Sequence, residues 1–322
     1  MPGIRINIRP EGEATTKSSK LNKLFKRLYR EKELWFIAAF AIVWIAIFAY
    51  YPMYGIIYGF FNYVPGKKLS ECEFVGLKYF IEFFKLPDVW LIIRNTLVIS
   101  TLNLTIGFIA PIILALLFNE LNNITFKRIV QTISYLPHFV SWVVVASIIF
   151  SMLGNEGVVN DMLIRFGFID KPIGFLGEGK YFWGLLTAAN IWKGVGWSSI
   201  IYVSAIARID QELYQAGAVD GLGRLGMAWH ITLPGIRPTI LLLFILGIGG
   251  ILNAGFEQQL LLGSPTTREY HEVIDTYVYR YGIQMGRYSF ATAVGFMKSF
   301  IGLALVIVTN KMSKKLTDMS II

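Results

Sequence analysis

Six runs of apolar residues, spanning about 34–61, 91–118, 129–153, 182–207, 236–262 and 289–310, limit this chain to few kinds of fold. Each reaches or passes the roughly 20 residues that an α-helix needs to cross a hydrocarbon layer of about 30 Å. A water-soluble core does not accommodate six such segments in 322 residues of which 55% are hydrophobic and only 16% charged. A lipid-embedded backbone must satisfy its N–H and C=O groups internally, and a helix does so within each segment. The expectation is an all-α polytopic membrane protein with six transmembrane helices.

The cations set its orientation. Lys17, Lys20, Lys23, Lys26, Arg27, Arg30 and Lys32 precede the first run, and Lys311, Lys314 and Lys315 follow the last. Lys127 and Arg128 lie after the second run, and Arg208 and Arg224 after the fourth. An even number of spans puts both termini on one side, and the basic excess makes that side cytoplasmic. The loops around 62–90, 154–181 and 263–288 then face outward. The reading is a multi-pass membrane protein, with a basic cytoplasmic segment at 1–33 and a membrane domain at 34–322. Leu21, Leu24, Phe25 and Leu28 recur at helical spacing opposite basic residues, which suits either an interfacial helix on anionic lipid or a pure topology signal. The net charge of +9 is explained by lipid headgroups, and no nucleic-acid partner is expected. The single cysteine, Cys72, has no disulfide partner in the chain.

Motifs for chemistry are sparse. Gly174-Phe175-Leu176-Gly177-Glu178-Gly179-Lys180-Tyr181 resembles a phosphate-binding loop, but Tyr181 replaces the Ser or Thr that holds magnesium and no strand precedes it. Three histidines, His138, His230 and His271, leave little material for a metal site or a catalytic triad. The chain is therefore expected to be no enzyme and to bind no cofactor or metal.

The connection at about 208–238 is unusual. Helix connections in bundles commonly take two to eight residues, whereas this one has about thirty and is patterned throughout. Asp210 or Asp220 can cap a helix start. Gly221 and Gly223 permit a sharp reversal. Ala216, Gly217 and Ala218 make a flat face for close approach of a partner, and Leu225, Ala228, Trp229 and Ile231 form an apolar stripe. Pro234 is expected to end the second short helix before the fifth span.

Tyr214-Gln215-Ala216-Gly217-Ala218-Val219-Asp220-Gly221 followed by His230-Ile231-Thr232-Leu233-Pro234 resembles the EAA loop of ABC importer permeases. Asn95-Thr96-Leu97, Ser134-Tyr135-Leu136-Pro137, Ile191-Trp192-Lys193-Gly194-Val195-Gly196-Trp197, Phe256-Glu257-Gln258, Asp275-Thr276-Tyr277-Val278-Tyr279 and Tyr288-Ser289-Phe290-Ala291-Thr292-Ala293 extend the likeness over about residues 30–322. The chain is similar to carbohydrate-uptake permeases of the polysaccharide-derived oligosaccharide branch. The resemblance implies the type I ABC importer permease fold with six helices and both termini cytoplasmic. It further implies a heterodimer with a second permease, an extracellular solute-binding protein, and two cytoplasmic ATPases carrying the ATP and Mg. Gln215, Ala216, Gly217, Asp220, Gly221, Trp229, Leu233 and Pro234 would form the ATPase-coupling loop. Gln215, Gly217 and Leu222 depart from the Glu, Ala and Ala usual there; an amide hydrogen-bonds but forms no ion pair.

Candidate pathway residues follow from cost. A charge within a span costs roughly 2.5–3.5 kcal/mol on insertion scales, so it tends to face a cavity or partner. Lys193 lies about 16 Å into its helix, near the bilayer centre. Lys298 and Glu257 fall in outer halves of the sixth and fifth spans. With Asn190, Trp192, Trp197, Asn253, Gln258 and Gln259 they offer hydrogen-bonding groups for sugar hydroxyls and rings for sugar C–H faces. The same Lys and Glu side chains could instead form a structural pair. The surplus of amines over carboxylates points to an acidic sugar. Two other classes remain: an ion-coupled secondary transporter, which should show inverted repeats, and a membrane-embedded enzyme, which should show clustered carboxylates or a nucleophile with its base. A permease for a non-carbohydrate solute is the nearer alternative.

Overall fold

The computed structural model describes residues 30–317, so the interfacial helix expected around Leu21–Leu28 lies outside the described residues. The chain divides into two compact units, one ending at Ile57 and one beginning at Tyr58. The boundary falls near the end of helix α1 (Lys32–Phe60), which passes through a π-turn at Ala46–Tyr50 and buries none of its side chains from Lys32 to Met53. An apolar stretch with no buried face, as Lys32–Met53 is, suits hydrocarbon surroundings.

The second unit opens with a small antiparallel ribbon, β1 (Phe61–Asn62) against β2 (Glu73–Phe74), so the protein is mostly rather than wholly helical. Helix α2 (Lys78–Lys85) is amphipathic and buries Tyr79 and Phe83. Helix α3 (Val89–Asn119) crosses the unit and carries Pro111 in its interior. Helices α4 (Ile124–Tyr135), α5 (Trp142–Leu153) and α6 (Val158–Arg165) follow, then the 28-residue helix α7 (Gly179–Ile206). Helix α8 (Gln211–Val219) and helix α9 (Arg224–Gly249) come next, then the short helices α10 (Glu257–Leu262), α11 (Arg268–His271) and α12 (Ile274–Tyr279), and finally α13 (Tyr288–Thr317).

Among the described residues, five helical runs are long and apolar enough to cross a membrane: Lys32–Phe60, Val89–Asn119, Trp142–Arg165, Arg224–Gly249 and Tyr288–Lys314. The expected fourth span is present as α7 and has the length, but polar residues including Asn190, Lys193, Ser198 and Ser199 dilute its apolar character.

Two expected spans are corrected. The run at 129–153 is not one helix, because α4 stops at Tyr135, a 3-10 turn covers Leu136–Phe139, and α5 restarts at Trp142. Pro137 has no N–H for a helical bond. Val140 and Ser141 are extended, and the Ser141 hydroxyl caps α5 by accepting the Val144 N–H at 3.4 Å. The run at 236–262 ends at Gly249, and the chain turns before α10, so Glu257 and Gln258 sit on a separate short helix.

Pro234 does not end a helix either. α9 runs unbroken from Arg224 to Gly249, with a π-turn at Ala228–Thr232 directly before Leu233 and Pro234. A π-turn alters the local hydrogen-bond register, which lets the chain pass a residue lacking its N–H.

Three apolar clusters hold the second unit together. At one end Tyr79, Phe83, Ile92, Ile274, Tyr277, Phe290 and Val294 join α2, α3, α12 and α13. In the middle Ile99, Ala146, Phe182, Leu186, Ala254, Leu262 and Val273 join α3, α5, α7 and α10. At the other end Ile112, Ala115, Tyr202, Ile206 and Ile236 pack α3, α7 and α9 together. The first end carries a charged belt. Buried Glu272 receives Arg268 at 2.8 Å and Arg280 at 2.7 Å, and the Asn95 amide donates to the carbonyls of Glu269 and Glu272 at 3.0 Å each.

Candidate functional site

Two places gather the residues picked out by the sequence. The first is the α8–α9 elbow. Asp210 caps α8, its carboxylate accepting the Glu212 N–H at 3.0 Å, whereas Asp220 closes the far end of the same helix. Gly221 takes φ +79°, a conformation that L side chains rarely adopt, and this turns the chain back towards α9. The turn is held by Leu222 N–H to Gly217 O at 2.9 Å. The Tyr214 hydroxyl meets the Thr232 hydroxyl at 3.0 Å and ties α8 to the π-turn.

The flat face expected of Ala216, Gly217 and Ala218 is divided. Gly217 is buried and points inward: a Cβ there would lie 2.8 Å from Ile231 Cδ1 and 3.2 Å from Leu222 Cδ1. Its small size serves the closure of the elbow itself, which accounts for glycine opposite the larger Leu222. Ala216, Gln215, Asp220 and Pro234 are exposed, and Leu233 is half-buried against the inner cluster. The apolar stripe splits likewise. Ile231 closes the elbow, whereas Leu225 is 88% and Trp229 69% exposed. Two large apolar side chains held outward by a braced turn form a knob that nothing among the described residues covers.

The second place is a cleft between α3, α7 and the turn after α9. Asn190 donates to Asn103 Oδ1 at 3.2 Å and accepts from the Gln258 amide at 3.5 Å. Asn253, Ser198 and Gly255 complete the wall of a cleft of about 260 Å³. Gly107 and Pro111 line the same cleft, and Pro111 deprives the Gly107 carbonyl of its helical donor. An adjoining groove of about 580 Å³ shares Asn103, Ser198 and Asn253 and adds Ser100, Trp197 and Tyr202. The Ser100 hydroxyl is buried and has no hydrogen-bond partner, an arrangement that costs free energy unless water or a ligand reaches it. The structure therefore brings Asn190, Trp197, Asn253 and Gln258 together, with Asn103 and Ser100 as members that the sequence reading missed. Asn103 lies 87 positions from Asn190, and no local pattern marks it.

The remaining candidates are elsewhere. Trp192 faces a separate apolar cavity of about 780 Å³ lined by Val145, Ile149, Leu185 and Ala189. Lys193 turns towards the break between α4 and α5. Its ammonium donates to the His138 carbonyl at 2.7 Å and lies 5.8 Å from the centre of the Trp142 ring. His138 stacks flat on Trp197 at 4.6 Å between ring centres. Glu257 is exposed and Gln259 buried, its amide donating to Ala254 O at 3.3 Å. Lys298 pairs with Asp275. A structural pair between a span lysine and Glu257 is thus replaced by a lysine–aspartate pair. Among the described residues, no group of His, Cys, Asp and Glu is placed to hold a metal ion.

Residues 107–318 match the family described as binding-protein-dependent transport system inner membrane component. The chain is 43% identical to the polygalacturonan/rhamnogalacturonan transport system permease protein YteP of Bacillus subtilis (strain 168), with 93% of each chain covered. It is 42% identical to Protein LplB of the same strain, over 89% of this chain and 90% of that one. A crystal structure of a bacterial alginate ABC transporter in complex with an alginate pentasaccharide-bound periplasmic protein contains a similar chain. The TM-score is 0.84 at 39% identity, with 93% of this chain and 100% of that chain covered.

Proposed function

The chain belongs to the family of binding-protein-dependent transport system inner membrane components, and we propose that it is the permease half of an ABC importer for oligosaccharides. It crosses a bacterial cytoplasmic membrane six times, α7 being the fourth crossing in chain order, with both termini and the α8–α9 elbow in the cytoplasm. Residues 1–33 form a basic cytoplasmic segment, 34–322 the permease domain, and 208–238 its coupling loop.

The observation that carries this reading is the outward knob of Leu225 and Trp229 on an elbow whose inner face is closed by Gly217 and Ile231. Bracing fixes the elbow's shape while leaving its apolar tip uncovered, which suits seating in the cleft of another protein. Two ATPase subunits, holding ATP and Mg, would grip it around Gln215, Ala216, Asp220, Gly221 and Trp229. Leu233 and Pro234 continue it along α9. The exposed Gln215 amide engages its partner by hydrogen bonds rather than an ion pair.

The cleft of Asn103, Asn190, Asn253 and Gln258, with Trp197 alongside, suits a glycan. Amides both donate to and accept from sugar hydroxyls, and an indole ring covers sugar C–H faces. A second, related permease would close the open side of this cleft. An extracellular binding protein would deliver sugar to the charged belt around Glu272, as the periplasmic protein in the alginate transporter complex suggests. Closure of the ATPases would swing the elbow with α9 as one body, exchanging the side on which the cleft opens.

The test is uptake of labelled oligosaccharide by the complete transporter carrying Leu225→Ala with Trp229→Ala. Uptake should fall at least tenfold and ATPase subunits should co-purify less with the membrane complex. Normal uptake with normal co-purification would overturn the coupling role of the elbow.

A further inference from the structure

Lys298 and Asp275 line a third cleft, of about 360 Å³, between α9 and α13. Asn253 is on its wall and also on the walls of the amide cleft and the larger groove, so the three spaces adjoin at one side chain. Lys298 and Asp275 are the only charged residues lining it, and Ser299 adds a hydroxyl. The lysine side chain is 14% and the aspartate 26% exposed.

A half-buried ammonium without a counter-ion is costly, and Asp275 supplies one at rest. The exposure is uneven: Asp275 keeps access to solvent, so it can turn to water when another anion takes its place. Lys193, the other span lysine singled out by the sequence, is already taken up by the His138 carbonyl and does not line any of these spaces. Three features therefore coincide at Lys298: a cationic donor, an exchangeable carboxylate partner, and continuity with a row of amides.

Resting on the oligosaccharide reading above, we infer that Lys298 is a specificity-determining residue that receives the carboxylate of a uronic-acid unit, displacing Asp275, while the amide row holds the sugar hydroxyls. The substrate class is then acidic glycans. The pair acts as a charge filter: a neutral sugar gains nothing by opening it, whereas a carboxylate replaces one ion pair with another. The permease of the polygalacturonan/rhamnogalacturonan system and the alginate transporter, whose named substrates are acidic polysaccharides, are consistent with this assignment.

The experiment uses the complete transporter in proteoliposomes with its binding protein. Two probes are compared, an oligogalacturonate and its carboxyl-reduced, neutral counterpart. Each variant's rate is taken relative to the unaltered chain with the same probe, so the binding protein's own preference cancels. Lys298→Gln should lower oligogalacturonate uptake at least tenfold and change uptake of the neutral probe less than twofold. Asp275→Asn should preserve oligogalacturonate uptake or lower its KM. Equal losses for both probes in both variants, or full rescue of both by the exchanged pair Lys298→Asp with Asp275→Lys, would make the pair a structural tie and overturn the inference. An unaltered transporter that imports only the neutral probe would overturn it too and leave the oligosaccharide reading standing. Import of neither probe would remove both.

Discussion

Replacing Lys193 with Met tests whether this lysine is a strut rather than a wall of the pathway. Met preserves most of the side-chain volume, so packing changes little and the main loss is the ammonium. Its hydrogen bond to the His138 carbonyl, 2.7 Å long, is charge-assisted and worth about 1.5–3 kcal/mol. The lysine over the Trp142 ring adds about 0.5–1 kcal/mol at a part-exposed site. Relief of the ammonium's desolvation returns part of this, leaving a net loss of about 2 kcal/mol. For a chain of 322 residues each kcal/mol moves a melting temperature by about 1.5 °C, so the solubilised transporter should melt about 3 °C lower. Uptake should fall by the same factor for every sugar tested, because the α4–α5 break loses its clasp while the amide cleft is untouched. An unchanged melting temperature, or a raised KM for sugar at unchanged stability, would refute the strut and return Lys193 to the pathway.

Gly217→Ala should be nearly neutral for uptake, since about 1 kcal/mol of helix propensity offsets a contact that the flexible end of Ile231 can yield. Gly217→Leu should cost about 1–3 kcal/mol by overpacking, force α8 from the π-turn and uncouple ATP hydrolysis from uptake, measured as the ratio of the two rates. Asn190→Leu removes one hydrogen bond each from Asn103 and Gln258. A loss of about 1 kcal/mol should raise KM for oligosaccharide about fivefold with little change in maximal rate, read from initial uptake rates. Burial holds His271 below the ordinary histidine value, so its neutral form is favoured in the folded chain and the unfolded chain binds more protons in acid. Its share of stability is complete above about pH 6.5 and is lost as pH falls through the lowered value. His271→Gln should flatten the acid limb of the melting temperature plotted against pH.

The helical spans were legible because their period and length are properties of short windows. The break at Pro137 was missed as a break, although the proline and the following Ser141 were both in view, because an unbroken apolar run hides where its backbone bends. Pro234 failed as a stop signal for the opposite reason: a π-turn upstream accommodates it, and no residue type announces a π-turn. The elbow's reversal was readable from Gly221, but the sequence could not say that Gly217 looks inward, since that depends on Ile231 returning across the turn. Of the amide cleft, Asn190, Asn253 and Gln258 stood out as polar residues in apolar runs. Asn103 did so equally in principle, yet only the crossing of α3 and α7 makes it their neighbour. The partner of Lys298 was misjudged because Asp275 lies in a loop by composition and reaches the helix only in three dimensions.

The passage of α9 through Pro234 has a mechanical consequence. Its 26 residues make a rod of about 39 Å whose near end is the elbow at Arg224 and whose far end, Gly249, lies four positions before Asn253. A second short helix ending at Pro234 would have put a joint between the elbow and the cleft, free to absorb a movement of either. Without that joint, a tilt of ten degrees at the base displaces the tip by about 7 Å by simple leverage on that length, roughly the width of a sugar ring.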